Sequence, residues 1–111
     1  MEVSFRSQKL QKICESQREL VRTYGARQGQ RLAVCLSELR ALTNLEEASK
    51  VPHLHLHQLG ADRDEQFALT LIEPRRLILE VANEPIPRLD DGGIDRSAVT
   101  SVAVIEVVDY H

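Results

Sequence analysis

Three histidines alternate in the run His53-Leu54-His55-Leu56-His57, two arginines stand together at Arg75-Arg76, and the sequence closes on Asp109-Tyr110-His111. An imidazole gains or loses a proton near neutral pH, a guanidinium holds a phosphate and the extra charge of its transition state, and a phenol stacks on or hydrogen-bonds a base. Together these groups suit metal-free RNA cleavage. There the 2′-hydroxyl attacks its own neighbouring phosphate, so the protein supplies a base, an acid and a cation but no covalent nucleophile. His57 and His111 are the candidate acid and base, in either order, with Arg76 as the charge stabiliser and Tyr110 orienting the nucleotide. Two plainer readings stand beside this one. The same polar residues can form a solvated sheet face, and His53, His55 and His57 on one strand face can offer Zn²⁺ three nitrogens, without a cysteine or carboxylate at fixed spacing to complete the site.

The elements that must position these residues follow from hydrophobic period. Residues 3–5 suit a short strand. Leu10, Ile13 and Cys14 then recur at helical spacing behind Ser7, a good N-cap. A longer helical pattern covers 24–42, with Leu32, Cys35, Leu36, Leu39 and Leu42 on one face, and the two helices should pair antiparallel. From Pro52 the period falls to two, which predicts strands over 53–57, 66–72, 76–81 and 102–108 in an antiparallel meander. The stretch 83–100 reads as a long surface loop. Its Asp90, Asp91 and Asp95 lack the ligand order of a calcium loop, and Gly92-Gly93 precedes no helix that would cradle a phosphate. No nucleotide cofactor is expected. The predicted class is α+β: one domain over 1–111, with two N-terminal antiparallel helices on one face of a small antiparallel sheet.

Strand parity divides that sheet. Leu54, Leu56, Phe67, Leu69, Leu71, Leu77, Leu79, Val81, Ala103, Ile105 and Val107 should face the helices. His53, His55, His57, Thr70, Arg76, Ile78, Glu80, Glu106, Val108 and Tyr110 should lie opposite, on an unusually polar face.

Composition excludes other classes. With 42% apolar and 28% charged residues, the chain is too apolar for a disordered tail, and it contains no run approaching a membrane span. The first residues lack a signal-peptide layout, so a cytoplasmic location is expected. Cys14 and Cys35 sit among apolar residues at helical spacing and read as two buried thiols. Residues 1–50 hold nine Lys/Arg and six Asp/Glu, net 9 − 6 = +3, whereas 51–111 hold five and eleven, net 5 − 11 = −6. Arginine dominates the basic residues, yet the total of −3 argues against strong non-specific affinity for nucleic acid.

Beyond single residues, Val51-Pro52, Leu56-His57, Leu59, Asp62-Arg63, Phe67-Ala68-Leu69, Arg76-Leu77-Ile78, Glu80, Ala82-Asn83-Glu84-Pro85-Ile86-Pro87, Asp91-Gly92-Gly93-Ile94-Asp95 and Asp109-Tyr110-His111 form a pattern. It resembles the HigB-like toxins of the RelE/ParE superfamily of type II toxin–antitoxin systems. Ser4-Phe5-Arg6, Leu10-Gln11-Lys12 and Tyr24-Gly25 extend the likeness over almost the whole chain. The resemblance implies a RelE-like domain that cuts mRNA in the decoding site of a translating ribosome and forms a hetero-oligomer with a helix-turn-helix antitoxin. It makes His57 the sheet histidine, Arg76 the phosphate-facing arginine, and Asp109, Tyr110 and His111 the C-terminal functional trio. Arg27, Arg31, His55, Arg63 and Arg75 are the candidate RNA contacts around them.

The chain departs from the family pattern in two places. Gly60-Ala61 stands where a Lys-Gly pair is usual, and Arg75 stands where an aromatic often precedes the arginine. The missing lysine and the acidic balance favour an alternative of the same fold: a binding protein that does not cleave RNA, whether an attenuated toxin, an antitoxin-sequestering protein or a gyrase-directed one.

Overall fold

The computed structural model describes residues 1–109. In chain order the elements are β1 (Glu2–Phe5), α1 (Gln8–Cys14), α2 (Gln17–Tyr24), α3 (Ala26–Ala41), α4 (Leu45–Ser49), β2 (His57–Gln58), β3 (Gln66–Thr70), β4 (Arg75–Val81) and β5 (Ser101–Asp109). Short 3₁₀ turns occupy Pro52–Leu54, Ala61–Arg63 and Arg96–Ala98. The α+β class holds, while several of its expected details change.

Four helices replace the expected two. Ser7 caps α1, its hydroxyl accepting from the Leu10 amide at 3.2 Å, and Ser16 caps α2 in the same way from the Glu19 amide at 3.2 Å. Ser16 is extended, at φ −124°, so the first helix stops and a new one starts in another direction. Gly25 then turns the chain at φ +86°, a conformation costly for any residue with a Cβ. The two long helices cross at Gly29, where an added Cβ would meet the Leu20 carbonyl at 3.0 Å. Asn44 caps α4 through the Glu47 amide at 3.0 Å.

The sheet is mixed where an antiparallel one was expected. Its order is β1-β5-β4-β3-β2, and β1 pairs parallel with β5 while every other pair is antiparallel. The helices cover one face. Leu20, Leu32, Leu36 and Leu39 pack there with Phe67, Leu69, Leu77, Leu79, Val102 and Val104 in one buried cluster. Burying such side chains contributes about 1.5–3 kcal/mol apiece before entropy is counted.

A bulge inverts the expected parity of β5 before Ile105, while Glu106, Val107 and Val108 keep the faces expected for them. Leu77 pairs with Val107 and Ile78 with Glu106, but Leu79 pairs with Val104, so Ile105 is the extra residue. Val102 and Val104 therefore face the helices, in place of Ala103 and Ile105. Ala103 joins Ala68 and Ile78 on the opposite face, where all three are still fully buried.

Two segments expected to be simpler are not. The run 53–57 is no strand, because Pro52 opens a 3₁₀ turn and His55 is left-handed at φ +48°, leaving only His57 and Gln58 to pair with β3. Leu54 reaches the core regardless. The stretch 83–100 carries a β-bridge between Arg88 and Ile94 and the 3₁₀ turn at Arg96–Ala98, and it sends Ile94 and Val99 into the core.

Candidate functional site

The face opposite the helices is ordered by cross-strand rows. His57 pairs with Ala68, Ala68 with Ile78, and Ile78 with Glu106, giving one row from the β2 edge to β5. The next row is Thr70, Arg76 and Val108. At strand spacings of 4.7–4.9 Å, the backbones of His57 and Arg76 are about 12 Å apart on the same face. Two long side chains at that separation can flank one nucleotide.

His57 is exposed, and its Nδ1 lies 3.1 Å from the His55 carbonyl oxygen. A carbonyl oxygen only accepts, so Nδ1 carries the hydrogen and the neutral ring presents Nε2 as a proton acceptor. The left-handed turn at His55 aims that carbonyl. His55 itself thus acts through its backbone, with its side chain exposed.

Each arginine on this face meets a carboxylate. Arg76 donates from Nη1 to Glu73 Oε2 at 3.0 Å and to the Arg75 carbonyl at 3.1 Å. Arg63 reaches across the sheet, donating from Nη1 to Gln66 Oε1 and from Nη2 to Glu106 Oε1, both at 2.9 Å. It spans β3 to β5 beside the row that Ala68 and Ile78 floor. Arg6 pairs with Glu80. Glu73, three residues before Arg76, is the partner that sequence reasoning missed, although the spacing of opposite charges marked it.

The other predicted residues sit elsewhere. Arg75 and Asp109 pair on the helix side, with Nε 3.0 Å from Oδ1, and the Arg75 guanidinium lies 5.5 Å from the Tyr24 ring centre. They share neither the face nor the partners of His57 and Arg76. Alternation along β4 separates Arg75 from Arg76 in this way. Arg31 binds the carbonyls of His53 and Thr70, each at 3.2 Å, and fastens α3 to the sheet end. Arg27 is exposed on α3, in the layer behind the sheet. Tyr110 and His111 lie outside the described residues.

The histidine triplet does not share a strand face. His53 Nε2 is 2.5 Å from Glu38 Oε2 on α3, whereas His55 and His57 occupy the turn and the strand beyond it. Among the described residues, no three His, Cys, Asp or Glu are placed to hold one metal ion.

Of the two thiols expected to be buried, Cys35 is buried and Cys14 only partly so, and the surroundings of both favour the protonated form. Burial pushes the Cys14 thiol up to about 11 and the Cys35 thiol up to about 12, against the weaker opposing pull of Arg40 and Arg31. Burial also raises the Tyr24 phenol, with the neighbouring Cys14 adding to it and Arg75 opposing it. No described helix is long and apolar enough to cross a membrane. Compared with known proteins, the chain matches no family model, no curated protein and no solved structure.

Proposed function

We propose that this chain is a HigB-like toxin of the RelE/ParE superfamily, a cytoplasmic, metal-free endoribonuclease that cuts mRNA on the translating ribosome and is held in check by a helix-turn-helix antitoxin. The observation that carries this reading is His57, with Nε2 turned into a proton acceptor on the uncovered sheet face that also bears Arg76. A helix layer behind a sheet whose other face stays open to a long, flat ligand fits the RelE-like arrangement.

In the reaction, a base removes the proton of the RNA 2′-hydroxyl and that oxygen attacks the adjacent phosphorus. The bond from phosphorus to the 5′ oxygen breaks, and an acid protonates the departing oxygen. The products are a 2′,3′-cyclic phosphate and a free 5′-hydroxyl. His57 and His111 divide the base and acid roles, Tyr110 orients the nucleotide, and Arg76 exchanges Glu73 for the phosphate. Such acid–base assistance is typically worth 10²–10⁴-fold.

The second reading is a same-fold binding protein that does not cleave. It is favoured by the pairing of Arg6, Arg63 and Arg76 with Glu80, Glu106 and Glu73, which leaves the face near neutrality. Induced expression of the untagged chain, followed by primer extension on a translated reporter mRNA, separates the two. Discrete cuts that require translation and disappear in a His57→Ala, Tyr110→Ala double variant support the nuclease. Growth arrest without cuts supports the binding protein.

A further inference from the structure

The break at Ser16 leaves a groove of about 850 Å³ between α1 and α2. Ile13 forms its apolar floor; Arg22 and Glu19 pair with each other there, Nη1 to Oε1 at 3.7 Å, and Lys9 and Lys12 stand beside them, so the lining keeps a formal charge of 3 − 1 = +2. A smaller cleft shares Lys9 and Ile13 with it and continues toward Leu10, Tyr24 and Val107. The stems of the lysines extend the apolar surface while their ammonium groups stay in water.

A feature of complementary charge lies elsewhere on the same chain. Leu89 is 50% exposed, more than Val21 or Val34, and stands at the tip of a tight hairpin beside exposed Asp90 and Asp91. The tip is held firmly. The Leu89 amide donates to the Gly93 carbonyl at 2.7 Å, the Gly92 amide to the Leu89 carbonyl at 2.9 Å, and the Gly93 amide to Asp91 Oδ1 at 2.8 Å. Arg88 is tied to Glu65, Nη2 to Oε1 at 3.0 Å, so its charge is answered locally and the tip beyond it is acidic. A rigid apolar knob flanked by carboxylates costs little ordering entropy to dock.

We propose that the α1–α2 groove receives the Leu89 tip of a second copy of this chain. Leu89 would cover Ile13, and Asp90 and Asp91 would meet Lys9 and Lys12. Within one chain the tip is anchored at Glu65, just before β3, whereas α1 follows β1 at the far edge of the sheet, with β4 and β5 between them. The fit is therefore between copies. Two contacts related by a two-fold axis close a dimer, and one contact propagated gives a head-to-tail chain. So small a contact falls below the size of a stable interface, which sets the association in the micromolar to millimolar range and makes it sensitive to salt.

Sedimentation velocity on the full chain up to millimolar concentration tests this. The unsubstituted protein should associate as concentration rises and dissociate in roughly 0.5 M salt, where the screening length is a few ångströms. Lys9→Glu with Lys12→Glu, and separately Asp90→Lys with Asp91→Lys, should each weaken self-association at least tenfold, and mixing the two variants should restore it. Leu89→Ser, a change at an exposed tip, provides an independent variant with the same expected loss, and circular dichroism checks that each variant is folded. A protein that stays monomeric at every concentration overturns the proposal. So does association that survives the substitutions, or charge-reversed variants that fail to recombine.

Discussion

The two faces of the sheet are built from alternate residues of the same strands and yet obey different rules. Toward the helices, Leu69, Leu77, Leu79, Val102 and Val104 are fully buried and meet leucines of α2 and α3. On the other side only a narrow floor of Ala68, Ile78 and Ala103 is buried, and the residues around it are His57, Arg63, Arg76 and their acidic partners. One face carries the stability. The other is free to vary in charge and hydrogen bonding, because its polar groups keep access to water and are not left unsatisfied in the core. The adjacent arginines on β4 divide between the faces within two residues: Arg75 lies over Tyr24 on the helix side with its side chain 34% exposed, and Arg76 lies on the other face, 18% exposed and paired with Glu73.

The contrast breaks first at Leu77 and His57. Leu77→Ala should cost about 2–5 kcal/mol in denaturant unfolding, because the fully buried site cannot collapse around the loss. His57→Ala should leave unfolding within about 0.5 kcal/mol while lowering mRNA cleavage at least roughly 100-fold. Equal losses of stability for both substitutions would erase the distinction between the faces. Behind the sheet, Gly29→Ala should cost about 1–3 kcal/mol, since the new methyl meets the backbone of Leu20 at the helix crossing.

Smaller effects sharpen the picture. Glu106→Gln removes a half-exposed ion pair and should change stability by less than about 1 kcal/mol, while the loss of a negative charge from this face should raise affinity for a short RNA. Filter binding of that RNA at two salt concentrations would show whether the charge balance of this face limits binding. The two thiols, Cys35 buried and Cys14 partly buried, provide a pH test. Their folded values are raised, so the stability they contribute is fully present below the ordinary thiol range and is lost as pH climbs toward about 11 and about 12. At pH 8, Cys35 in the folded protein should resist alkylation under conditions that label an unfolded control. On the surface the sign is opposite. The hydrogen bond from Arg88 holds Glu65 below the usual carboxylate range, so the loop anchor is present above that range and lost as pH falls through it. Amide exchange at Leu89 and Gly92 should rise at acid pH before that of β4.

Much of the fold was legible in the sequence. Long-period stripes located α1 and α3, two-residue alternation located β3, β4 and β5, and Ser7 announced its cap. The misses have local causes. Ser16, followed three residues later by Glu19, is an N-terminus signature whose weight equals that of Ser7, and reading it would have revealed α2. Alternation in 53–57 imitated a strand because a 3₁₀ turn opened by Pro52 also buries Leu54 while exposing His53. The bulge at Ile105 has no signature in one sequence, since an extra residue in a β-branched run keeps every propensity and changes only the count. That is why Ala103 and Val104 exchanged faces. At the site, His57 and Arg76 do share the open face, whereas Asp109 follows the parity of Arg75 to the opposite side.

The pairing of β1 with β5 joins residues nearly a hundred positions apart, since Val3 lies beside Val102. A ribosome releases the chain from its N-terminus at about 5–20 residues per second, so β1 emerges well before β5, the strand it pairs with. The helices have local partners and can form meanwhile, but the sheet cannot close until β5 slides between β1 and β4. Contacts of such long sequence separation slow folding. An interval therefore separates the synthesis of the uncovered face's first residues from its completion, and during that interval nascent protein carries the parts of the site without its geometry.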